Sequence, residues 1–126
     1  MTNDARTQLL NHPETAQHVR VIAALRQTAD LMDMEGRDPQ DPAQLLNSHA
    51  FLAAYGLDSM GQWQEVRRSY TAPGGAGHQA WKAWVLECRA VRDEMKKLLL
   101  PSWVDSPNLT ADDVRAIADR VAAETA

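Results

Sequence analysis

The residue types able to do chemistry are four histidines, one cysteine, a serine in a Gly-Leu-Asp-Ser-Met stretch, and scattered carboxylates. His12, His18, His49 and His78 fall in different segments, and no H-x-x-x-H, H-E-x-x-H or C-x-x-C spacing puts two ligands on one helical face. No metal site and no cofactor are expected from that distribution. The glycines from Gly74 to Gly77 are not followed by G-K-[ST] and no strand leads into them, so they make no phosphate loop. Asp112 and Asp113 are adjacent and diverge on a helix, while Glu87, Asp93 and Glu94 occupy polar positions, which leaves no acid/base pair. Cys88 excludes an intrachain disulfide and lies on an apolar line, where cysteine acts as a small hydrophobe. The chain reads as non-enzymatic.

The stretch Gly56 to Met60, GLDSM, lacks the second glycine of a nucleophile elbow, and no strand precedes it. It resembles the G-x-D-S-L/M motif at the start of the second helix of acyl and peptidyl carrier proteins. That resemblance implies Ser59 as the residue that receives phosphopantetheine, with Met60, Trp63 and Val66 continuing at compatible apolar positions. It covers about fifteen residues, and the long helix after the glycine loop has no counterpart in a carrier domain. A serine N-cap following a glycine C-cap accounts for the same residues through local physics alone.

The elements that must position these groups are all helical. Alternating β-branched or aromatic runs are absent, and caps and periodicity predict about five helices in one compact domain. Pro13 opens the first, which runs to Glu35 with Gly36 as its stop, and Val21, Ala24, Thr28 and Leu31 form one stripe beside Ile22, Leu25, Ala29 and Met32. Asp41, Pro42 and Gln44 start a second, ended by Gly56, with Leu45, Leu46, His49, Leu52 and Ala53 inward. Ser59 and Gln62 cap a third carrying Met60, Trp63, Val66 and Tyr70. The sequence TAPGGAG over 71–77 cannot continue it and is the hinge candidate. A long helix follows from His78 to Leu100; Pro101 and Pro107 bracket an irregular connection, and Thr110 caps the last helix.

The long helix is the most regular. Trp81, Trp84, Cys88, Val91, Met95 and Leu98 recur at spacings of three and four, with Val85 and Leu99 widening the stripe. Trp81, Trp84, Val85, Val91, Met95 and Leu98 are therefore the expected association residues, joining a protein partner or a second copy. The charges add a rival. Residues 1–58 hold four basic and eight acidic side chains, 59–100 seven and four, and 101–126 two and five, so the middle is basic between acidic flanks. Gln62, Gln64, Arg67 and Arg68 lie mainly off the apolar face of the third helix, where a helix-turn-helix would present contacts to DNA. Small phage packaging and regulatory proteins share that outline, helix-turn-helix followed by an oligomerising helix. The net charge of -4 opposes nucleic-acid binding. No apolar run approaches the roughly 18 residues of a membrane span. Met1 to Thr7 is polar, unlike a signal peptide, so a soluble cytoplasmic protein is expected.

Overall fold

The structure, a computed structural model, describes residues 13–36, 42–105 and 109–125. They form α1 (Pro13–Glu35), α2 (Pro42–Leu46), α3 (His49–Ala54), α4 (Met60–Thr71), α5 (His78–Asp105) and α6 (Ala111–Thr125), with no strand among the described residues. The all-α class is as the sequence implies. His12, Met1 to Thr7, the cap at Asp41 and Pro107 lie outside the described residues.

α1 and α6 pack most extensively. Their ion pairs run Arg26 to Asp119 and Arg115 to Asp30 and Asp33, so rising numbers on α1 meet falling numbers on α6 and the pair is antiparallel. Alanines at 24, 29 and 118 let the two backbones approach, and Leu25, Val114 and Val121 fill the space beside them. Both predicted stripes of α1 are used: only Ile22 among their eight residues is not fully buried. Thr28, the one buried polar residue among the described residues, donates its hydroxyl to the Ala24 carbonyl at 2.7 Å. Leu45, Ala50 and Ala53 close the core from α2 and α3, and Val91, Met95 and Leu99 close it from α5.

The local stops follow the sequence closely. Gly36, at φ 77°, donates to the Met32 carbonyl, and Gly56, at φ 71°, donates to that of Ala53 while Leu57 reaches back to Leu52. Ser59 Oγ accepts the Gln62 amide at 3.2 Å, and the Gln62 side chain accepts the amide of Asp58. At α6 the reciprocal pair is complete: Thr110 Oγ1 accepts from the Asp113 amide, and the Asp113 carboxylate accepts from the Thr110 amide. Gln27 on α1 donates to the Leu57 carbonyl at 2.9 Å and to Asp58 at 3.1 Å, which seats the turn between α3 and α4 on the bundle.

Two expectations are corrected. The second helix is broken at Asn47 and Ser48 into α2 and α3. Ser48 bonds the Gln44 carbonyl through its hydroxyl, and Arg92 of α5 takes the freed Leu46 carbonyl at 3.0 Å and Asn47 Oδ1 at 2.8 Å. A long-range guanidinium thus compensates a break that local periodicity does not announce. The long helix, for its part, continues through Pro101 to Asp105. Proline removes its own N–H from the ladder and crowds the carbonyl four residues back, a local cost that leaves the following residues able to remain helical.

The seam of α5 is divided between the interior and the surface. Cys88, Val91, Met95 and Leu99 are at most 1 % exposed, and Leu98 is partly buried. Val91 and Met95 therefore already have partners within the chain. Placing an uncompensated carboxylate there costs about 3–5 kcal/mol, against the roughly 5–15 kcal/mol that holds a domain folded. Val91→Asp is expected to lower the thermal midpoint sharply or abolish the transition by circular dichroism. Leu86→Asp, at a position 64 % exposed on the same helix, should leave it nearly unchanged.

Candidate functional site

α4 contributes no buried residue and packs chiefly on α5, with ring contacts to Phe51 and Tyr55. Its attachment is aromatic. Trp63 meets Trp81 edge to face at 5.5 Å, and Tyr70 meets Trp81 at 5.8 Å and stacks on Trp84 at 5.9 Å. Tyr55, the C-cap of α3, meets Trp84 at 5.0 Å and Phe51 at 4.9 Å. Six of the seven aromatic side chains in the sequence thus form one continuous cluster, separate in kind from the aliphatic core. Each tilted or edge-to-face pair adds roughly 0.5–1.5 kcal/mol beyond the area it buries.

The loop from Ala72 to Gly77 sets the angle at which α4 returns to α5. Gly77 donates to the Tyr70 carbonyl at 2.8 Å and Gly75 to that of Ala72 at 2.9 Å. Gly74 and Gly77 have φ of 83° and 98°. Gly75 is required for space, because a Cβ there would lie 2.3 Å from the Ser69 carbonyl oxygen and 2.7 Å from that of Tyr70. Gly75→Ala should force the loop open, lowering the denaturant midpoint seen by tryptophan fluorescence and the unfolding free energy by about 1–3 kcal/mol, the usual cost of overpacking. An unchanged midpoint would show that the turn is not needed to hold α4.

Beside the cluster lies a partly open cleft of about 330 Å³. Phe51 and Tyr55 wall it from α3, and Trp63 and Arg67 from α4. On α5, Trp81, Val85, Arg89 and Arg92 recur at steps of four, four and three, so one helical line passes from aromatic through aliphatic to cationic. Arg67 lies over the Trp63 ring at 5.9 Å and Arg92 over Phe51 at 5.8 Å. No carboxylate lines the cleft.

The expected association residues are distributed unevenly here. Trp81 and Val85 line the cleft, Trp84 sits behind them against Tyr55 and Tyr70, and Val91 and Met95 belong to the core. Of the expected nucleic-acid contacts, Gln62 is engaged at the α4 cap and Arg67 on Trp63, while Gln64 and Arg68 are exposed. Ser59 is exposed, with its hydroxyl serving as the N-cap. His18 and His78 are exposed, and His49 pairs with Glu35. Among the described residues no group of three or more His, Cys, Asp or Glu could hold a metal ion. None of the helices is long and apolar enough to cross a membrane.

Sequence reasoning missed Phe51, Tyr55, Arg89 and Arg92 as members of this site. The signal for the first two was their four-residue spacing on a helix whose other face was already assigned inward. The two arginines stand among the polar positions of α5, and nothing local distinguishes them from solvated surface.

Two ionisable groups behind the cleft are shifted. Burial pushes the Tyr55 phenol above its ordinary 10.0, helped by the nearby Cys88 and opposed by the guanidiniums of Arg89 and Arg92. Burial likewise pushes the Cys88 thiol above its ordinary 9.0, opposed by Arg20, whose Nη2 lies 3.7 Å from the sulfur. Both are acids that stay neutral in the folded chain at a pH where the unfolded chain already ionises. Their contribution is intact below the unfolded value and is lost as pH rises through the folded one. The urea midpoint should therefore fall as pH is raised from about 8 past the ordinary 9.0 and 10.0. Cys88→Ala combined with Tyr55→Phe should flatten that fall.

Compared with known proteins, the chain matches no family model, and no characterised protein or solved structure shows significant similarity to it.

Proposed function

We propose that the chain is a non-enzymatic protein-interaction or assembly module of the cytoplasm. It associates through the aromatic end of α5 together with α4. The observation that carries this reading is the cleft itself, a partly open pocket of tryptophan, tyrosine and arginine at the end of α5 that the aliphatic core does not reach. Those residue types dominate the energetics of protein interfaces because they offer large contact areas with few torsions to fix. The long helix remains the association element, but Val91 and Met95 serve the fold, and Val85 and Arg89 meet the partner beside Trp81, which is itself only 9 % exposed.

The helix-turn-helix reading draws less support. α3 has six residues and α4 packs on α5, whereas a recognition helix is seated by the helix before it.

The test is affinity capture from lysate of the source cells, paired with light scattering of the purified chain. A partner or second copy should be retained by the wild type and by Met34→Asp, which lies 79 % exposed on α1. It should be lost on Val85→Asp with the thermal midpoint unchanged. Equal retention by both aspartate variants would refute the reading.

A further inference from the structure

Several of the described cations are neutralised from within. Arg26 pairs with Asp119, Arg115 with Asp30, Asp33 and Asp112, and Lys97 with Glu94. Arg67 and Arg89 have no carboxylate within ion-pair distance among the described residues. Both face a cleft from which acidic groups are absent. Arg67 lies over the Trp63 ring at 5.9 Å, a contact that occupies none of its N–H donors with an acceptor. Arg92 spends Nε and Nη2 on the Leu46 carbonyl and Asn47, which fixes its head at the cleft wall. Within that wall the Trp63 indole N–H is buried with no acceptor. The site has donors in surplus over an apolar floor.

From this charge complementarity we infer that the cleft binds an acidic peptide segment of a partner protein. Carboxylates of that segment are held by Arg67 and Arg89, and one aromatic or aliphatic side chain lodges against Trp63 and Trp81. The inference rests on the interaction reading and names its partner chemistry. Guanidinium and carboxylate match edge to edge, and such charge-assisted bonds are stronger than neutral ones. A volume of about 330 Å³ takes one or two side chains. A polynucleotide needs a basic track along several phosphates; this cleft is lined by three arginines, Arg67, Arg89 and Arg92.

The test uses the full chain and fluorescence anisotropy of a short labelled peptide of aspartate and glutamate around a central Phe-Leu pair. The expected result is saturable binding that weakens at least about tenfold when every acid is replaced by its amide, and again as salt is raised from about 0.1 to 0.5 M. Arg67→Glu with Arg89→Glu should abolish it, while Arg68→Glu, exposed on the same helix, should change it less than about threefold. Circular dichroism melts confirm that each variant is folded; if the double variant melts early, Arg89→Gln alone should still weaken binding about tenfold. Equal binding of the acid and amide peptides, with loss on Val85→Asp, would overturn the acidic chemistry and leave the interaction reading standing. No binding of either peptide would overturn the inference. So would tighter binding of a single-stranded oligonucleotide that is lost in the double arginine variant.

Discussion

Ring-to-ring contact is the interaction on which the arrangement of this molecule depends. α4 buries no side chain fully, so its place is set by Trp63 and Tyr70 against Trp81 and Trp84. The same rings, through Tyr55 and Phe51, connect α4 and α5 to α3 and thence to the bundle. Such contacts prefer edge-to-face and tilted geometries over a face-to-face sandwich. The cleft lies against this cluster and shares Phe51, Tyr55, Trp63 and Trp81 with it. The surface open to a partner and the attachment of α4 thus use the same side chains.

α5 joins two materials. Its C-terminal half packs aliphatic and sulfur-bearing side chains into the bundle, and its N-terminal half packs rings against α4, with Cys88 near the change. Arg20 stands at that junction, close to both Cys88 and Glu87. Arg92 joins the halves differently, bonding the broken turn between α2 and α3 while capping Phe51. One guanidinium so serves the backbone of the fold and the wall of the cleft together.

Much of the fold was legible in the sequence. The bounds of α1 and α4, the glycine stops and the serine and threonine caps are local events, decided within a turn of the residues involved, and they stand where the capping residues put them. The break at Ser48 was not legible, because the group that compensates it is 46 residues away in the sequence. The continuation through Pro101 was missed because an interior proline usually breaks or kinks a helix, whereas here the helix runs on to Asp105. At the site, the seam of α5 was visible as a stripe, but a stripe has no label for what covers it. The interior took Val91 and Met95, and the cleft took Trp81 and Val85. Arg89 and Arg92 acquire their meaning only when α3 and α4 bring rings to them.

The antiparallel pairing of α1 with α6 governs the order in which the molecule can be completed during synthesis. Arg26 and Asp119 meet across 93 positions of sequence. A ribosome adding about 5–20 residues per second needs several seconds to supply the segment between these two helices. Throughout that interval the face of α1 formed by Leu25, Ala29 and Met32 lacks its principal cover. α2, α3 and α5 emerge earlier and can shelter only part of it. For an all-α fold, this topology places its most extensive contact last, and the nascent protein carries an unsatisfied apolar surface until α6 arrives.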